Sequence, residues 1–425
     1  MADYRTMWAD LSLDLDRHDQ LLELLSNGYE QVFLSQQNRP EGMKYFDFVI
    51  SEAHGLRIQE LVEHRNSGGT VIGSFCVFVP EDLVIASGGV PIGLCAGSEF
   101  PLADAEGLIP RNTCPLIRAS LGFKVSRTCP YIQVSNFVVG ETTCDGKKKM
   151  YEVMGDLHPT YVMEVPQKKT KEGRDLYLAE IHSFKDRLEA ESNRRVTAER
   201  LAAATKKVEA KKRALRRFHA TRTADPVPIS GRDALLVSQI AFYDDVDRFT
   251  VKLNELTDEL EARVSQDAGV FPKGTPRLLY AGTPLSLPDW KIHSIVEAGG
   301  GVIVVEESCV GSRYYSTTTP SNDGSLAGQM RAISQRHLET HCACFTPNAE
   351  RIDDILELAR ATKADGVIHY SLQFCQTYTA ESIKIENALR KAGIPTLSLE
   401  SDFSTEDQAR LTTRVQAFLE MLASR

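Results

Sequence analysis

The chain has 425 residues, 42% hydrophobic and 25% charged, with a formal net charge of −9. That length exceeds what one hydrophobic core organises and implies two or three domains. The acidic balance gives no electrostatic case for nucleic acid, and no apolar run reaches the roughly 20 residues that span a bilayer.

The first 65 residues read as helical, with an amphipathic pattern in Asp16-Arg-His-Asp-Gln-Leu-Leu-Glu-Leu-Leu and again from Ser51 to Val62. The rhythm then changes. Thr70-Val-Ile-Gly-Ser-Phe is a short apolar strand ending at Cys76, and Pro80-Glu-Asp-Leu-Val-Ile-Ala opens a helix with proline and acids in its first turn. Gly88-Gly-Val-Pro breaks that helix, and the next strand begins at Ile92 and ends at Cys95. Alternating strand and helix implies a parallel sheet covered on both faces. The same phrase recurs from Arg277: strand, a helix from Pro288-Asp, a Gly299-Gly-Gly break, and Val302-Ile-Val-Val-Glu-Glu-Ser leading to Cys309. The repeat pairs Cys95 with Cys309, and Phe137-Val-Val-Gly-Glu-Thr-Thr-Cys144 with Gly366-Val-Ile-His-Tyr-Ser-Leu-Gln-Phe-Cys375. The expected architecture is α/β: two similar Rossmann-like domains with parallel sheets, plus N-terminal helices and a helical bridge. The boundaries are 1–65 for the N-terminal helices, 66–170 and 269–425 for the two α/β domains, and 171–268 for the bridge. Two long antiparallel helices are expected in the bridge. Its basic run, Lys206-Lys-Val-Glu-Ala-Lys-Lys-Arg-Ala-Leu-Arg-Arg, reads equally as a solvated face or as a dock for an acidic protein.

Nine cysteines fall in two groups, five between residues 76 and 144 and four between 309 and 375. Several end a strand, where open α/β sheets bind ligands. The N-terminus lacks the basic and then apolar profile of a signal peptide, so the chain is expected in the cytoplasm, where thiols stay reduced. Metal binding is then the leading reading of the cysteines, and thiolates converging from two groups point to iron–sulfur chemistry. Cys114 opens the helix Cys-Pro-Leu-Ile-Arg-Ala-Ser-Leu-Gly, where the helix dipole favours a thiolate. Cys342 and Cys344 alternate along an extended stretch and are not both expected to face one centre. Zinc is disfavoured because no Cys-x-x-Cys pair occurs. Gly140-Glu-Thr-Thr-Cys-Asp-Gly-Lys-Lys fails as a phosphate loop: five residues separate its glycines, and Lys148 stands where Ser or Thr is required. A lone histidine is usually structural, so His158, His337, His341 and His369 receive no role.

These motifs together resemble the 2-hydroxyacyl-CoA dehydratase D-component family, which includes benzoyl-CoA reductase subunits. The resemblance covers about residues 65 to 425. It rests on Phe78-Val-Pro-Glu-Asp-Leu-Val-Ile-Ala-Ser-Gly-Gly, Cys114-Pro-Leu-Ile-Arg-Ala-Ser-Leu-Gly, Cys144-Asp-Gly-Lys-Lys-Lys, Gln373-Phe-Cys375 and the ending from Leu399-Glu-Ser-Asp to Thr413-Arg-Val-Gln-Ala-Phe-Leu-Glu. It implies a [4Fe-4S] cluster on Cys114, Cys144 and Cys375. The extra strand-end cysteines resemble the branch of double-cubane cluster proteins, in which six cysteines hold an [8Fe-9S] unit. Cys76, Cys309 and Cys344 are the additional ligands expected, with Cys95 and Cys342 in reserve and Cys129 structural. The implied activity is low-potential reduction of small molecules, with electrons from a separate ATP-hydrolysing [4Fe-4S] activator protein and this chain as a homodimer. The alternative is a dehydratase or acyl-CoA reductase subunit with one [4Fe-4S] cluster, and a plain electron-transfer module is a third reading.

Overall fold

The computed structural model describes residues 4–94 and 96–424. Two four-stranded sheets carry the fold. The first contains β1 (Thr70–Ser74), β2 (Gly89–Gly93), β3 (Phe137–Glu141) and β4 (Thr160–Met163), in the order β2-β1-β3-β4. The second contains β5 (Arg277–Gly282), β6 (Val302–Glu307), β7 (Gly366–Leu372) and β8 (Thr396–Ser401), in the order β6-β5-β7-β8. Every pairing is parallel. The internal repeat is therefore a repeat of topology: each sheet begins in its interior, steps outward, then crosses to the other side. Strands β3, β5, β6 and β7 are buried throughout, which explains their largely apolar sequences. Because β2 begins at Gly89, the strand already includes the Gly-Val-Pro stretch read as a break. An edge strand accommodates Pro91, which has no N–H to donate.

Helices Arg5–Asp10, Leu15–Tyr29, Met43–Ser51 and Leu56–Asn66 precede the first sheet. The second amphipathic segment thus begins at Leu56 rather than Ser51; Gly55 separates it from the preceding helix. One apolar cluster runs from Phe33 and Phe46 in this N-terminal part, through Val71 and Ile92, to Leu278 and Ile303 in the second sheet. Trp290 of the second half meets Phe33 edge to face at 4.9 Å.

Between the sheets lie four helices, Lys171–Ser192, Ala198–Thr221, Gly231–Ile240 and Val246–Ser265, rather than two long ones. Asn193 ends the first in the left-handed conformation, and Ser230 caps the third from its side chain. Ala198–Thr221 packs on both Val246–Ser265 and the short helix Glu81–Ala86, while Lys171–Ser192 packs on Leu326–Leu338. The bridge therefore grips both halves. Its basic run is not a plain solvated face, because Lys211 and Lys212 point inward and are buried. Lys211 Nζ pairs with Glu81 at 2.6 Å. The halves are also tied by Arg336, whose guanidinium donates to Asp82 from 3.1 Å with both groups buried. The acids of the Pro80-Glu-Asp segment thus bond other elements as well as sitting at a helix start.

Candidate functional site

Parallel topology sends the carboxyl ends of β1, β3, β5, β6 and β7 toward one place. The result is a cavity of about 500 Å³ between the two halves, lined by Cys76, Cys114, Cys144, Cys309, Cys342, Cys344 and Cys375. Cys76 follows β1, Cys144 follows β3, Cys309 follows β6 and Cys375 follows β7. Three of the seven are also helix N-caps: Cys114 for Pro115–Val125, Cys144 for Asp145–Gly155 and Cys375 for Gln376–Lys391. Pro115 at the first helical position removes an N–H that would otherwise be unsatisfied. The Lys147 N–H donates to Cys144 Sγ over 3.4 Å. Three helix N-termini thus face one cavity, and their dipoles favour negative charge there.

All six cysteines singled out as ligands line this cavity, and so does the reserve Cys342. The expectation that Cys342 and Cys344 do not both face it fails for a local reason. A turn over 342–345, closed by the Phe345 N–H to the Cys342 carbonyl at 3.1 Å, replaces an extended stretch, so the period-two alternation does not apply. Cys95, the other reserve, lies outside the described residues. Cys129 caps the helix Pro130–Val134, lines a separate apolar cavity under the N-terminal helices, and is pushed up to about 11 by burial. None of the four histidines lines the cysteine cavity. His341 Nδ1 pairs with Asp354 at 2.6 Å, and burial drives His369 down to about 3.

The donor set fits an iron–sulfur group. Seven soft sulfur donors share one lined volume, which suits iron–sulfur clusters or zinc and not hard cations. Among the described residues, no three His, Cys, Asp or Glu groups are gathered closely enough to hold one metal ion. A mononuclear site needs all its sulfurs about 2.3 Å from a single point. Here seven sulfurs from both halves line one volume.

Sequence reading missed the charged groups behind the sulfurs. Arg313, four residues after Cys309, is buried, with Nη1 3.7 Å from Cys342 Sγ and 3.8 Å from Cys309 Sγ. It also donates to the Tyr378 hydroxyl and to the Gly282 carbonyl. Glu307 pairs with Arg313 at 2.9 Å and with Arg351 at 2.7 Å. The chain's only sequence hint of this was the Cys-x-x-x-Arg spacing beyond β6. Across the cavity, Lys147 is committed to buried Glu141, which also accepts from Tyr151 Oη at 2.9 Å. The lysine of the failed phosphate loop therefore serves an internal ion pair.

Burial is the largest influence on Cys76, Cys144 and Cys309, and it raises all three. It pushes Cys309 up to about 11 although Arg313 pulls the other way, and burial followed by the nearby Glu141 raises Cys76. Two pairs share protons. Cys344 donates to Cys342 and Cys375 to Cys114, so the acceptor of each pair is lowered and the donor raised. Thiolate ligation here would release protons and depend on pH.

Comparison with known proteins identifies the family. Residues 76–422 match the family model described as 2-hydroxyglutaryl-CoA dehydratase, D-component. The chain belongs to this family. It is 34% identical over 379 residues to YjiM of Escherichia coli (strain K12), a protein provisionally named a dehydratase subunit, with the match spanning 88% of this chain and 97% of that one. The beta subunit of (R)-2-hydroxyglutaryl-CoA dehydratase from Acidaminococcus fermentans is 24% identical over 85% of this chain and 95% of its own. A benzoyl-CoA reductase subunit from Thauera aromatica is 22% identical over 78% and 85%. The family is one of dehydratase and reductase subunits, which supports an enzymatic role. Its match begins at Cys76 and leaves the N-terminal helices outside. No helix among the described residues is long and apolar enough to cross a membrane.

Proposed function

We propose that this D-component protein is an iron–sulfur reductase whose cysteine cavity holds a double-cubane [8Fe-9S] cluster. The observation that carries the reading is the sulfur surplus. Three cysteines suffice for the single cubane that the resemblance implies, yet seven from both halves line one cavity. Cys76, Cys114, Cys144, Cys309, Cys344 and Cys375 would hold the group, with Cys342 the alternative to a neighbour. When bound, such a group supplies low-potential electrons to a small molecule. An ATP-hydrolysing activator protein would deliver those electrons, and the chain would work in the cytoplasm as a homodimer.

The chain's own contribution is electrostatic and steric. Three helix N-termini and Arg313 offset negative charge on sulfur, which raises a potential relative to an uncompensated site. Glu307 moderates Arg313 and, together with Glu381, balances Arg351, so the net local charge stays small. An apolar cavity lined by Phe75, Leu94, Leu116 and Phe242 adjoins Cys76 and Cys309 and restricts water on that side.

The names of the relatives favour a second reading, a dehydratase or acyl-CoA reductase subunit with one [4Fe-4S] cluster. Anaerobic iron and sulfide analysis separates the two. The first predicts about eight irons per chain, falling on Cys76→Ser or Cys309→Ser; the second predicts about four, unaffected by those changes. An acyl-CoA thioester binding tightly to a four-iron protein would overturn the proposal.

A further inference from the structure

Helix Ala198–Thr221 buries two successive lysines, and only one has a counter-ion. Lys211 is matched by Glu81 at 2.6 Å. Lys212, 5% exposed, has no carboxylate within ion-pair distance among the described residues. Its Nζ reaches Thr317 Oγ1 at 3.5 Å and stands 5.2 Å from the centre of the Tyr314 ring. A buried, uncompensated ammonium is costly, and an amine so placed gives up its proton readily.

Lys212 lines a cleft of about 50 Å³ whose other walls include Ser74, Cys76, Arg313, Tyr314 and His337. Roughly 10–15 Å³ admits one water, so the cleft has room for a short file of them. Cys76 belongs to this cleft and to the cysteine cavity alike. The remaining charged groups around the amine are engaged. Glu81 is held by Lys211 and by the Tyr314 hydroxyl, and Asp82 by Arg336. Glu209, on the same helix, accepts from Thr319 N–H at 2.8 Å and hydroxyl at 2.6 Å. Asp244 is paired with Arg248 at 2.6 Å, and burial keeps His337 neutral. Burial and then Arg336 bring the Lys212 amine down to about 7, against the opposing pull of Glu81, Asp82 and Glu209. That value matches the working range of a general acid.

We propose that Lys212 is a proton relay, handing protons through the cleft beside Cys76 to small molecules reduced in the cysteine cavity. The proposal rests on the reductase reading above. Each transfer breaks an N–H bond of the Lys212 ammonium and leaves the neutral amine, which solvent reprotonates. With hydroxylamine as probe, the N–O bond breaks and NH2OH + 2e− + 2H+ gives NH3 + H2O, the electrons coming from an added reductant.

The test uses iron-loaded wild type, Lys212→Met and Lys212→Arg, with titanium(III) citrate as reductant. Ammonia formation is followed against pH, and cluster bleaching without hydroxylamine is followed separately. Both variants are expected to lose about tenfold or more of the ammonia rate, with bleaching unchanged. The wild-type inflection near neutral pH is expected to vanish in both, since arginine stays charged throughout. A Lys212→Met protein with the wild-type rate and pH profile overturns the relay alone. A wild type that binds no iron or makes no ammonia overturns the reductase reading and the relay with it. On the metal-free protein, lysine labelled with carbon-13 at Cε provides an independent readout. One resonance absent from Lys212→Arg should titrate near neutrality, and a protein in which every lysine titrates above about pH 9 refutes the assignment. If Lys212→Met fails to fold, Lys212→Arg and this titration decide.

Discussion

Replacing Arg313 by methionine tests the electrostatic account of the cysteine cavity without requiring a bound cluster. The guanidinium lies 3.7 Å from Cys342 Sγ and 3.8 Å from Cys309 Sγ. At that separation and an effective dielectric of about 20, a full charge pair is worth about 4 kcal/mol. At 1.36 kcal/mol per unit this is an upper bound of about three pKa units for each thiol. Solvent entering the vacated space reduces it, so at least about one unit upward is expected, a tenfold loss of thiolate at a fixed pH below the pKa. The fold should tolerate the change, because Glu307 keeps its pairing with Arg351 at 2.7 Å. The assay is anaerobic iodoacetamide alkylation of the metal-free protein, with peptide mass spectrometry following each cysteine. Cys309, pushed up to about 11 by burial, should slow about tenfold or more relative to wild type, while Cys129, in another cavity, serves as the unaffected reference. An equal rate at Cys309 in the two proteins would refute the argument that Arg313 favours its thiolate.

Three further outcomes follow from buried features. Glu306→Gln strands Arg222, which is fully buried and bidentate to that carboxylate at 2.8 Å; about 3–5 kcal/mol should be lost, read as a lower urea midpoint at constant slope. The double change Arg222→Met with Glu306→Leu should recover most of it. Burial alone would push the Glu306 carboxyl up, but Arg222 more than offsets this and holds it below the ordinary range. Its stabilisation is therefore complete above the unfolded value of about pH 4.3 and drains as pH falls toward the folded value; acid unfolding curves should show the double variant losing less. Gly282→Ala would place its Cβ 1.9 Å from the Tyr370 carbonyl of β7, forcing β5 and β7 apart beside the cavity, so soluble yield and melting temperature should fall; at Gly155→Ala nothing lies within 4 Å, and both should stay near wild type.

The fold was legible where the chain repeats itself. The runs at 277–282, 302–307, 137–141 and 366–372 all became strands, because parallel strands buried on both faces are largely apolar and need no alternation to be recognised. Helix starts were less legible. The second helix of the repeat begins at Lys291, three residues beyond Pro288, because Asp289 and Trp290 are drawn into the core. The bridge reads as two helices from sequence because the breaks at Asn193 and before Asp245 lie inside otherwise continuous helical composition. At the site, strand-end position found the cysteines, since the carboxyl ends of parallel strands share an edge. It could not find their charged neighbours. Arg313, Glu307 and Arg351 come together from β6, from the helix after it and from Ala349–Ala361, and no local pattern relates those segments.

The sequence by itself determined which residues could be ligands and that several of them sit at strand exits in two matching halves, because hydrophobic period and helix-start chemistry are local properties. Only the tertiary structure decided that both sets open onto one cavity, that Cys342 turns into it beside Cys344, and that Lys212 is buried without a counter-ion among the described residues. Those facts depend on how two sheets and a helical bridge pack together, and packing brings into contact residues that are far apart along the chain.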